Sequence, residues 1–146
     1  MNRIKAFTLV ELIIVVIIVG ILASLGMTQY SEVVEKSRLA ETKVRIGTMR
    51  QLAYEYYLNN GDMSTITNAD VGVDNTCRST DYYSYWIGSK GTTWLNLAST
   101  RCSSGGKAPN VTAAKQYTFY MNYYPGTGQS TWDCYYNIGS GSCFGL

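Results

Sequence analysis

Histidine is missing from all 146 residues, and that absence excludes His-based catalytic triads, imidazole general bases and His metal ligands. Hydrolase readings lose most of their support with it. No CxxC pair occurs, which together with the missing histidine argues against a zinc site. Neither sign of charge is in excess: 12 basic residues face 10 acidic ones. Arg3 and Lys5 precede the apolar run, so a chain cut after residue 6 carries 10 of each. Nothing in that balance marks a nucleic-acid binder, and no cofactor is implied. Proline is scarce as well, with 2 in the chain and none between Gln29 and Leu58.

What the sequence does have is 46% hydrophobic residues, much of it concentrated in the first 27 positions. Removing that stretch leaves a segment rich in Tyr, Gly, Ser, Thr and Asn, with room for one small core made mainly of aromatics. From Phe7 to Met27 nearly every residue is Leu, Ile, Val or Ala, interrupted by Gly20 and Gly26. As a helix this run is about 31 Å long, enough to cross a bilayer core. With the only nearby positive charges at Arg3 and Lys5, the start stays cytoplasmic and the C-terminal part is exported. An ordinary secretory signal offers a competing explanation, with a small-residue cleavage site at Ala23-Ser24-Leu25. It does not account for Glu11, whose carboxylate costs a few kcal/mol to place in an apolar run and therefore asks for a partner.

Lys5-Ala6-Phe7-Thr8-Leu9-Val10-Glu11-Leu12 resembles the class III signal of type IV pilins and type II secretion pseudopilins. The resemblance implies cleavage between Ala6 and Phe7 by a prepilin peptidase, N-methylation of Phe7, and pairing of Glu11 with the Phe7 amine of a neighbouring subunit. An ammonium there would offset the cost of the carboxylate in a low-dielectric filament core. Two positions depart from the family pattern. Ala6 stands where Gly is usual before the cut, and Thr28 stands where a Pro often ends the apolar run. Local melting of the helix on assembly would then rest on Gly20 and Gly26, each costing about 1 kcal/mol relative to Ala.

Beyond the apolar run, good helix formers continue to about Leu58, and Glu32/Lys36 and Glu41/Arg45 are i, i+4 pairs of favourable orientation. Val33, Ala40, Val44 and Gly47 fall on one side of this helix; Leu39, Ile46, Met49 and Ala53 fall opposite. Two stripes imply two coverings, one by the chain's own sheet and one by neighbouring subunits, and the charged residues read as a solvated face. Asn59-Asn60-Gly61-Asp62 stops the helix.

Residues 62–80 read as a loop with a short helix start at Thr67-Asn68-Ala69-Asp70. Strands are expected at Tyr82–Ile87, Tyr117–Tyr124 and Trp132–Ile138, the last two joined through Pro125-Gly126-Thr127-Gly128. Trp94–Ala98 is ambiguous between strand and short helix, and Ser103–Asn110 is a loop. The four cysteines allow three pairings; Cys77-Cys102 and Cys134-Cys143 each close a local loop around the sheet, and are preferred. The second pair also resembles the family's C-terminal disulfide loop. Asn68, Asp70 and Asp74 could offer oxygens to calcium, but their spacing is not that of an EF-hand and turn chemistry accounts for them. Asn110-Val111-Thr112 matches a glycosylation sequon. The abundant tyrosines invite a carbohydrate or DNA reading, against which core and strand packing weighs more heavily.

The expected architecture is α+β, a long helix packed on a small antiparallel sheet in the pilin ladle arrangement. Its parts are leader 1–6, membrane and filament-core helix 7–28, amphipathic continuation 29–60, and globular domain 61–146. The expected function is structural and not enzymatic: a homo-oligomeric filament subunit, held in the inner membrane before assembly machinery moves it to a surface filament. Alternatives are a minor tip subunit binding DNA or another ligand, and a secretion pseudopilin. Glu11 favours the structural filament subunit over the tip role, since tip subunits of the family often lack it.

Overall fold

A computed structural model describes residues 7–108 and 116–136. The leader 1–6, the sequon at 110–112 and Cys143 lie outside the described residues. The chain divides into two units, Met1–Ser37 and Arg38–Leu146. Helix α1 covers Leu9–Asn60, and four strands follow: β1 (Tyr83–Lys90), β2 (Leu95–Arg101), β3 (Tyr117–Tyr124) and β4 (Gln129–Tyr136).

In the first unit the stretch Leu9–Met27 of α1, apolar apart from Glu11 and a few small residues, is long and apolar enough to cross a membrane, with a mean hydropathy of 2.8 and no buried residue. Among the described residues of that unit nothing covers it.

The second unit begins with the amphipathic part of α1. Leu39, Ile46, Met49 and Ala53 are fully buried, while Ala40 is exposed and Val44 is 73% exposed. The two expected stripes therefore separate cleanly, one inside the core and one outside. Gly61 ends the helix at φ 69°, donating its N–H to the Tyr57 carbonyl at 2.8 Å, and Asn60 Nδ2 donates to the Tyr56 carbonyl. A residue with a Cβ pays for that left-handed backbone, which is why glycine follows the last helical turn.

The sheet is an antiparallel meander in the order β1-β2-β3-β4. Its inward face sets Tyr83, Leu95, Leu97, Tyr117, Phe119 and Met121 against the buried helix stripe. The Tyr83 and Tyr117 hydroxyls meet at 2.6 Å, which satisfies two polar tips inside an apolar core. Between β3 and β4 the chain reverses through residues 125–128, with Gly128 at φ 72° and its N–H on the Tyr124 carbonyl. The hairpin is the one expected, although β4 starts three residues earlier than Trp132.

Trp94–Ala98, ambiguous between strand and short helix in the sequence, resolves as strand: β2 starts at Leu95 and occupies an interior position of the sheet. Two expectations need correction. Thr67–Asp70 begins a turn, not a helix; Asp70 accepts from the Thr67 N–H and hydroxyl, each at 2.7 Å, but Gly72 at φ 67° turns the chain away at once. Glu41 and Arg45 do not pair as a helix-surface bridge. Arg45 instead donates to the Gly72 carbonyl at 3.0 Å and ties the loop to the helix. Met63, Ile66 and Val71 anchor that loop in the core.

Cys77 and Cys102 form a disulfide, as preferred from the sequence. Beside it, a Cβ on Gly106 would sit 2.6 Å from that of Cys102, so the loop reaches the bridge only with glycine there.

Candidate functional site: the head of the apolar helix

Thr8 precedes the first helical residue and Glu11 lies three residues on. The Thr8 N–H and hydroxyl donate to Glu11 Oε2 at 2.9 and 2.8 Å, and the Glu11 N–H donates back to Thr8 Oγ1 at 3.2 Å. This reciprocal arrangement is a capping box, which satisfies backbone donors that have no partner in the first turn. A carboxylate there also sits at the positive end of the helix dipole. Thr8 is not among the residues expected to act, yet a Thr-x-x-Glu spacing ahead of an apolar run is a signal legible in the sequence.

The cap changes the account of Glu11. The carboxylate has a partner within its own chain, so the cost of placing it at the head of an apolar helix is partly met before any neighbour arrives. Both bonds from Thr8 fall on one oxygen, and an ionised carboxylate offers about four acceptor positions. Capacity for a second cationic donor is therefore built in. Phe7, immediately upstream, is 78% exposed, whereas Ala6 lies outside the described residues.

Gly20 and Gly26 sit within α1, and a Cβ on either would meet nothing within 4 Å. No packing among the described residues requires glycine at these positions.

In the second unit the basic side chains of α1 are not merely solvated. Arg38 lies 4.2 Å from the centre of the Tyr82 ring, and Lys43 lies 5.6 Å from Phe119 and 5.9 Å from Trp132. Their stems and charges cover the edge of the sheet. The calcium oxygens considered from sequence are otherwise engaged: Asn68 Oδ1 accepts the Ile87 N–H at 2.7 Å, Asp70 caps the Thr67 turn, and Asp74 pairs with Arg78. Among the described residues no three His, Cys, Asp or Glu side chains gather as a metal site would need.

An apolar helix with a capped carboxylate at its head, followed by a disulfide-braced α+β unit, defines the class of pilin-like subunits. Residues 1–27 match the prokaryotic N-terminal methylation motif. Over 130 residues the chain is 29% identical to the fimbrial protein EcpC of Eikenella corrodens, covering 89% of this chain and 81% of that one. It is 43% identical over 61 residues to a probable minor fimbrial protein of Dichelobacter nodosus, covering 42% of this chain and 38% of the relative. A third likeness, 39% identity over 57 residues, is to the type IV major pilin protein PilE1 of Neisseria gonorrhoeae, covering 39% of this chain and 34% of that one. Against the last two, then, the chain spans well under half of the relative's length. No solved structure matches the chain significantly. The motif match and these likenesses support membership of the type IV pilin family and a structural, non-enzymatic role.

Proposed function

We propose that this chain is the repeating subunit of a type IV pilus-like filament, made as a membrane-anchored precursor. Prepilin peptidase cuts between Ala6 and Phe7 on the cytoplasmic side, the Phe7 amine is methylated, and inner-membrane assembly machinery moves the subunit into a surface filament. In that filament Glu11 pairs with the Phe7 amine of a neighbouring copy. The observation that carries this reading is the Thr8–Glu11 cap at the head of a fully exposed apolar helix. The cap shields the carboxylate in the lone subunit and leaves it able to accept an ammonium.

Exposed apolar surface on this scale needs a covering, and lipid serves before assembly and other copies of the helix after it. Gly20 and Gly26 cost helix stability without serving the subunit's own packing, which supports a role in helix flexibility or close helix contact during assembly. The exposed stripe at Ala40 and Val44 is a further contact for neighbours. The four-part division at residues 6, 28 and 60 belongs to this same proposal, as does a Cys134-Cys143 bridge.

N-terminal mass spectrometry of sheared filaments tests the reading. A mature start at Phe7 with one added methyl group is the expected result, and a start near residue 24 or 25 would overturn it. Glu11→Ala should still insert in the membrane but be absent from filaments. A second reading, a minor subunit, draws on the likeness to the minor fimbrial protein of Dichelobacter nodosus. Abundance of this chain in purified filaments separates the two.

A further inference from the structure

The two faces of the sheet use their aromatic residues differently. Tyr83, Tyr117, Phe119 and Tyr123 point inward and are buried. Trp86 on β1, Tyr120 on β3 and Tyr135 on β4 point outward; Tyr135 is 54% exposed and the other two are half-buried. Together with Trp94 they line an open groove of about 640 Å³ across all four strands.

The floor between these rings is small and polar. A Cβ on Gly88 would lie 3.6 Å from the Trp86 ring and 3.1 Å from the Asn96 Cβ, so glycine keeps that edge of the indole open. Ala98, paired with Trp86 in register, is equally low. Cross-strand hydrogen bonds hold the polar groups in place. Trp86 Nε1 donates to Thr100 Oγ1 at 3.0 Å, the Thr100 and Thr118 hydroxyls meet at 3.0 Å, and the Asn96 amide donates to Asn122. The Tyr120 hydroxyl donates to Asp133 at 3.1 Å.

We propose that this outward face binds a neutral, β-linked polysaccharide. Such a chain presents axial C–H bonds on both faces of each ring, which suit aromatic π-faces, and equatorial hydroxyls at its edges, which suit fixed amides and hydroxyls. Charge selects against other occupants. Among the described residues no lysine or arginine lines the groove, and the charged group engaged by its wall is the carboxylate of Asp133. A polyanion such as nucleic acid finds no cation there to replace its counterions.

Cellohexaose is the probe, titrated against the full chain in a detergent without a sugar headgroup and followed by tryptophan fluorescence. Trp86 and Trp94 line the groove, whereas Trp132 stacks on Phe119 at 5.0 Å on the inward face. The signal should saturate and survive Trp132→Phe. Tyr135→Ala, at an exposed position, should weaken binding about tenfold, and Tyr135→Phe should change it by about twofold or less. An unsaturable signal, equal affinity in Tyr135→Ala, or tighter binding of an oligothymidylate would overturn the proposal. So would binding by the solubilised chain that is lost in intact filaments, since the face would then be an intersubunit contact.

Discussion

Residues 9–27 and residues 39–53 belong to one helix and meet opposite fates. The first stretch is apolar apart from Glu11 and a few small residues and entirely exposed; the second buries Leu39, Ile46, Met49 and Ala53 against the sheet. Helix propensity does not separate them, because both are well formed. What differs is the material the chain supplies around them. The second unit contributes an apolar sheet face, and the described residues of the first contribute little beyond the helix itself. Burial in this chain is thus a property of partners, and where the chain lacks them the helix is left for lipid or other copies to cover.

The largest effect should come from breaking the covered stripe. Ile46→Ala should destabilise the second unit by about 2–5 kcal/mol, because it leaves a cavity in a packed core. Val44→Ala, two residues away on the open stripe, should stay within about 0.5 kcal/mol of the parent and yet lower filament yield. Denaturant unfolding of the full chain in detergent measures the first effect and shearing assays the second. Equal destabilisation by both would erase the distinction between the stripes.

The Cys77–Cys102 bridge sharpens the comparison from the other side, since the described residues of the first unit contain no cysteine. Cys102→Ser should cost about 2–4 kcal/mol in the second unit. Reductant should reproduce that loss while leaving the helicity of the apolar segment unchanged. Gly105→Ala should act in the same region at about 1–2 kcal/mol, since Gly105 sits at φ 70° with a Cβ position 3.0 Å from the Cys77 carbonyl.

These contrasts show which features a sequence displays. The apolar run, the two stripes and the C-cap at Gly61 were legible because each depends on spacing along one segment. The Tyr117–Tyr124 strand was legible for the same reason, its residues alternating between buried and half-buried up to the exposed Tyr124. β2 was not. It lies between β1 and β3, and Leu97, Ala98 and Ser99 are buried in succession, so period two vanishes from its pattern. The rings beneath Arg38 and Lys43 were invisible too, because which ring meets which cation depends on register across the sheet. The Thr8 cap was available as a spacing; attention to the charge of Glu11 hides the simpler point that its carboxylate completes a helix end.

That cap gives a smaller prediction. Thr8→Val keeps the shape of the side chain and removes the hydroxyl, so the first turn should lose about 1 kcal/mol. Faster amide exchange at Leu9–Leu12 in detergent would report it, with the second unit unaffected. Protection unchanged in this variant would mean that the Thr8 N–H bond alone sustains the turn.

The smallest effect concerns pH and falls in the second unit. Hydrogen bonds from Thr67 hold the Asp70 carboxyl below its ordinary value, with a lesser contribution from the charge of Lys90. A carboxylate whose folded-state pKa is depressed adds stability above its unfolded pKa, about 4, and loses it as pH falls through the folded value. The stability difference between the parent and Asp70→Ala should therefore be present at neutral pH and shrink under acid. Asp70 is exposed, so the difference is modest and should weaken further in salt. A difference that stays constant on acidification would mean that Asp70 contributes through turn geometry and not through its charge.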